Sequence, residues 1–277
     1  MGMRVSTNIS SINAQRNLSG TQRAAQRSMA QMSSGNRINV AADDAAGLAI
    51  SERLKGSIRS AQQANRNAND GISMVQVAEG GLQEIGNIVV RMRELGIRAA
   101  SETVGGEERY FIDFEIQQLK SEIQRIADST KFNSSKLLDG SAPVFDFQVG
   151  INNNAEEDRI QFKAGETVAT LDALGLDGVN FITKEDAANT LDLVDNAQTY
   201  LNGMRANLGA LQNRLVSTVD NLSVYEENMS AANSRIRDTD VAQASSEVVR
   251  NNILMQASTA TLSQANQNNM AALKLIG

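Results

Sequence analysis

Histidine, cysteine and tryptophan are absent from the 277 residues, and there is a single proline. Without cysteine there is no disulfide, no thiolate nucleophile and no thiolate-bound zinc. Without histidine the chain lacks the usual general base near neutral pH and the commonest metal ligand. A Ser-His-Asp triad and a zinc-protease insert are both excluded. Aromatic residues make up only 4% of the chain, so a compact core built on large rings is not expected. No phosphate-cradling glycine loop occurs, because Gly80-Gly81 falls inside a helical register. The net charge of −6 gives no nucleic-acid signature. The sequence predicts no enzyme, no cofactor and no metal. Asp43-Asp44 reads as a helix cap, and Glu156-Glu157-Asp158 as a solvated turn.

What remains points to long helices. The 41% apolar content is mostly Ala, Leu, Ile, Val and Met. Heptad spacing, which marks helices packed side by side, recurs three times. Leu54, Ala61, Ala68, Val75, Leu82, Val89 and Gly96 form one series, with Ile58 and Ile72 in the neighbouring row. Val194, Leu201, Leu208, Leu215, Leu222, Met229 and Ile236 form a second, with Met204, Leu211, Thr218, Tyr225 and Ala232 beside it. Val241, Val248, Met255, Leu262, Asn269 and Ile276 form a third, out of step with the second. The break falls within Arg235–Asp240. A shorter pattern at the start includes Val5, Ile9 and Ile12.

These series predict helices over about 43–99, 107–128 and 184–236. The helices over 43–99 and 184–236 span roughly 85 and 80 Å at about 1.5 Å per residue. Alternation in Val144–Val149 and at Ile160 and Phe162 predicts one hairpin about an Asn-rich turn, with an extra strand near Val168–Leu171. The expected fold is mainly α: a long antiparallel helical coiled-coil rod with one small β-hairpin region at about 141–180. Two domains are expected, 1–44 with 236–277, and 45–235.

Charge is distributed unevenly. Residues 1–42 carry five arginines (Arg4, Arg16, Arg23, Arg27, Arg37) and no acid, whereas residues 141–200 carry eleven acids against three bases. An arginine-rich, acid-free start also suits a transit peptide, but a segment that pairs with the other end of its chain makes a poor one. Residues 251–273 carry no charge. Their Asn, Gln, Ser and Thr content excludes a membrane span, and their small size suits close helix packing.

Ser33–Glu52 (SSGNRINVAADDAAGLAISE) resembles the N-terminal signature of bacterial flagellins, and the stretch 227–267, which includes SRIRDTDVAQASSEVVRNNILMQ, is similar to their C-terminal one. Arg91–Leu95 (RMREL) and Lys131-Phe132-Asn133 resemble further flagellin motifs. The resemblance implies a structural subunit that polymerises into a helical motility filament. It implies export unfolded through a secretion apparatus, without a cleaved signal peptide. It also implies partnership with an export chaperone, a filament cap and hook–filament junction proteins. In that family the terminal segments form an inner coiled coil that orders on assembly. Outer domains are inserted mid-chain, and almost none is present here. Arg16, Arg23, Arg27, Val241, Val248, Met255, Leu262 and Ile276 are expected at inter-subunit contacts. The positions matching an innate-receptor surface, for a mammalian Toll-like receptor, are Arg91, Leu95 and Glu115. The surroundings differ from the usual pattern at Val90, Gly96, Ile97 and Arg98. A hook–filament junction protein and a coiled-coil tethering protein are the alternatives.

Overall fold

The computed structural model describes residues 7–274, with side chains described to residue 267. Five long helices are present: α1 (Ile9–Ser34), α2 (Ala45–Ala99), α3 (Gly106–Ser129), α4 (Lys184–Arg237) and α5 (Val241–Lys274). Four short strands lie between α3 and α4: β1 (Lys131–Phe132), β2 (Ser135–Lys136), β3 (Val144–Gln148) and β4 (Arg159–Lys163). The chain divides into two compact units, residues 1–58 with 228–277, and residues 59–227.

In the larger unit α2 and α4 run antiparallel in one unbroken register. Gln62 bonds to Glu226, Asn65 to Ser223, and Arg93 to Asp195, each pair with the same offset. The heptad row Ala61, Ala68, Val75, Leu82, Val89 is buried. The row beside it is Ala64, Gly71, Ala78, Ile85, Met92 and Ala99, not Ile58 and Ile72, which are half-buried. Spacing of three and four residues keeps both rows on one face, as in a coiled coil. On α4, Val194, Leu201, Met204, Leu208 and Leu215 complete the core. The α3 row Ile112, Ile116 and Ile123 is buried in the same core.

The sequence places small residues where elements come closest. A Cβ on Gly81 would stand 2.8 Å from Leu138 and 2.7 Å from Thr130. One on Gly71 would stand 3.2 Å from the Phe147 ring, and one on Gly96 3.1 Å from Phe181. The α2–α3 connection is tied by Arg109, whose guanidinium donates to the carbonyls of Ala99 and Ser101 and so caps the end of α2.

The β-content exceeds the expected single hairpin. β3 and β4 pair as predicted, with Phe145 opposite Phe162 and their rings stacked 6.0 Å apart. A second hairpin, β1–β2, turns at Asn133 and Ser134, both at positive φ. Two-residue strands carry no alternation to read, which is why periodicity missed them. No strand forms at Val168–Leu171. That stretch is irregular and docks through Ala169 N–H on Leu138 O and Leu171 N–H on the Gln124 side chain. The buried Lys120 ammonium holds the next stretch, donating to the carbonyls of Asp177 (2.5 Å) and Val179 (3.3 Å).

In the smaller unit α1 and α5 pair antiparallel. Asn8 donates to Ala265 O, Ser11 to Asn266 Oδ1, and Asn251 to Ser28 Oγ. α1 ends at Gly35, whose φ of +71° suits glycine. The chain then meets the α4–α5 break. Arg37 N–H donates to Arg237 O, Thr239 N–H to Gly35 O, and the Arg37 guanidinium to Ile236 O. Asp240 starts α5 by accepting from Ala242 and Gln243 N–H. The register shift within Arg235–Asp240 is this stop and restart. Asp44 caps α2 through Gly47 N–H, but Asp43 serves the preceding loop, accepting from Asn39 and Val40.

Candidate assembly surfaces

A heptad seam of small and medium residues joins α1 and α5. On α1 it comprises Ser11, Ala14, Leu18, Thr21, Ala25 and Ser28; on α5 it comprises Ala244, Val248, Asn251, Met255, Ser258, Leu262 and Ala265. Only Ala25, Ser28 and Ala244 are fully buried along it. Val248, Met255 and Leu262 face the partner helix of their own chain, half-buried along this seam. Ile276 and Val5 lie outside the described residues, as does the side chain of Asn269. Val241 is 62% exposed at the start of α5.

The opposite sides of both helices are open. On α1, Ile9, Ile12, Arg16, Arg23 and Arg27 fall on one helical stripe directly away from the seam. All five are exposed. Ile9 is 59% exposed, and on α5 Val249 and Ile253 are 55% and 60% exposed. Exposed apolar side chains repeated along a helix mark a surface awaiting a partner.

In the larger unit Arg91 donates to Glu115 (3.0 Å) and Glu94 (3.0 Å), joining α2 to α3. Leu95 is 3% exposed and belongs to the core. Arg91 and Glu115 thus share a surface that Leu95 does not reach. Arg93 and Lys184 make further ties between elements, holding the Asp195 and Glu102 carboxyls below their ordinary values by direct hydrogen bonding and charge. The Arg93–Asp195 contribution is present in full above the unfolded carboxylate pKa of about 4. It is lost as pH falls through the depressed folded value. The unfolding temperature of wild-type protein should therefore fall more steeply with acidification below about pH 4 than that of Asp195→Asn. Equal slopes would remove this pair from the account.

The chain matches the bacterial flagellin N-terminal helical region over residues 5–142 and the C-terminal helical region over residues 191–276. The chain belongs to the flagellin family. It is 42% identical over 274 residues to a flagellin of Halalkalibacterium halodurans, covering 99% of this chain and all of that one. It is 41% identical to a flagellar filament core protein of Brachyspira hyodysenteriae over 99% of this chain and all of that one. Among solved structures, Bacillus cereus flagellin superposes with a TM-score of 0.51 at 29% identity, covering 61% of this chain and 94% of that one. A putative flagellar hook-associated protein from Vibrio parahaemolyticus shares the fold at 13% identity, with a TM-score of 0.58. Flagellins are structural subunits of the flagellar filament, and this chain has that role.

One surface escaped sequence reasoning. Tyr110, Phe111 and Phe114 of α3 are 65%, 69% and 62% exposed. The signal was present in the spacing. These positions fall off the Ile112–Ile116–Ile123 row, on the face where a helix carries polar residues.

Proposed function

We propose that this flagellin polymerises through the outward faces of α1 and α5. The terminal segments, 1–44 with 236–277, form the inner domain of the filament, and residues 45–235 surround it. The observation that carries this reading is the pair of open stripes: five exposed residues of α1, and Val249 and Ile253 of α5, all turned away from the seam. A seam of small residues buries little apolar surface, so a second partner adds most of the stabilisation. Reversing charge at Arg16, Arg23 and Arg27 together should abolish sedimentable filaments, read by pelleting with filament seeds. Filaments of normal yield would defeat the reading. A subunit that stays soluble even unmutated, with seeds present, would move the junction and tethering alternatives ahead.

The export apparatus, an export chaperone, the filament cap and the hook–filament junction proteins are the further partners of this reading. It places the polymer outside the cell, reached without signal-peptide cleavage. For a mammalian Toll-like receptor the contact surface is Arg91 with Glu115, and Leu95 supports it from beneath. Arg91→Ala should lower receptor signalling by monomer in a reporter-cell assay by roughly tenfold, the loss of one charged contact at an interface. Unchanged signalling would leave these residues to packing alone.

A further inference from the structure

Three of the ten Phe and Tyr residues of this chain sit exposed on adjacent turns of α3. Large rings are costly to leave in water, and burying them against a partner is favourable. Tyr110 and Phe111 make an edge contact with centroids 6.2 Å apart, so they present a preformed ridge. Phe114 continues it one turn on. Glu107 lies in the same helical row, one turn before Tyr110.

A complementary recess exists elsewhere on the same unit. An open groove of about 640 Å³ lies between β4 and α4, lined by Phe162, Leu208 and Leu211. Arg159, Lys163 and Arg214 also border it. Lys163 is matched by Glu166. Glu156 also borders the groove, but the other two cations make no ion pair among the described residues. The Arg159 guanidinium donates to the neutral side chains of Gln148 and Asn153. An apolar floor with two guanidinium groups outside any ion pair suits aromatic rings accompanied by an acid, through cation–π contact and charge pairing.

We propose that the α3 ridge of one subunit docks in the β4–α4 groove of a second copy, with Glu107 beside Arg159 and Arg214. This inference rests on the reading that the chain polymerises. Ridge and groove are different surfaces, so the contact is heterologous and leaves both free partners available for further copies, as an open polymer requires. They are also displaced along the unit. The Arg91–Glu115 and Arg93–Asp195 ties put the ridge level with the α4 turn near Asp195, whereas the groove is lined by 207–214. At 1.5 Å per residue the displacement is roughly 25 Å, and that is the stagger expected between joined copies.

The test places the photoreactive analogue p-benzoylphenylalanine at Phe111, which keeps an aromatic group there, in full-length protein. Isotopically labelled and unlabelled subunits are mixed, assembled with seeds, pelleted and irradiated. The expected result is a crosslink between labelled and unlabelled chains that maps to 159–163 or 207–214. Crosslinks mapping elsewhere, crosslinks to a different protein, or none in pelleted filaments would overturn the proposal. Failure of unmodified protein to pellet would instead overturn the polymer reading beneath it. In parallel, Glu107→Arg should raise the critical concentration roughly tenfold, and adding Arg214→Glu should restore it. Equal critical concentrations in wild type and Glu107→Arg would remove the charge pairing, and with it the argument for this groove.

Discussion

Val249→Asp together with Ile253→Asp leaves the monomer folded and abolishes assembly. Both side chains are more than half exposed in the single chain, so their replacement removes no core contact and helicity by circular dichroism stays unchanged. In the polymer both lose their apolar burial, about 1.5–3 kcal/mol each, and two carboxylates would be buried without partners. A loss of 3 kcal/mol or more at every subunit corresponds to a critical concentration raised by at least about 100-fold. Pelleting across a concentration series measures it. Unaltered critical concentration would show that the α5 outward face is not used. Met255→Asp is the contrasting variant. It faces α1 within the chain, so it should disturb α1–α5 pairing in the monomer as well as assembly.

Phe181→Ala should destabilise the larger unit by about 3–5 kcal/mol, the usual cost of deleting a buried aromatic. Phe181 is fully buried, and its ring fills the space left by the missing Cβ of Gly96 on α2. Its backbone N–H is held by the Asp113 carboxylate on α3 at 2.9 Å. One residue therefore locks the irregular stretch before α4 against two helices. Urea unfolding of the monomer, followed by circular dichroism, checks the value. A loss below about 1 kcal/mol would mean that the site collapses around the cavity.

The long helices were legible because a pattern kept over six heptads has few other physical readings. The boundaries of α2, α3 and α4 fall within two residues of those read from caps and breakers. The break before α5 was legible as a slip in register. The use of each α5 face was not. Val248, Met255 and Leu262 lie on one side, and Val249 and Ile253 lie near the other. With apolar residues on both sides, periodicity cannot say which one the chain itself covers. Leu95 makes a related point: a motif match carries a position, not its exposure, and Leu95 is buried. The α3 aromatics were overlooked because rings are expected inside. Here the facing rows of α2, α3 and α4 are aliphatic, and the buried rings, Phe162 and Phe181, come from outside those helices.

The β3–β4 turn is closed at its base. Val149 and Gly150 N–H both donate to Asp158 O, Asp158 N–H donates to Asn154 O, and the Asp158 carboxylate accepts from Asn154 N–H. Residues 155–157 stand exposed beyond this knot. Any sequence spliced in there begins and ends at nearly the same point. Its entropic cost grows only with the logarithm of its length, about 0.6 kcal/mol per doubling. The helices on either side need not register the change. A short flagellin of this design is thus a stem onto which a much larger ornament can be grafted without altering how the stem folds.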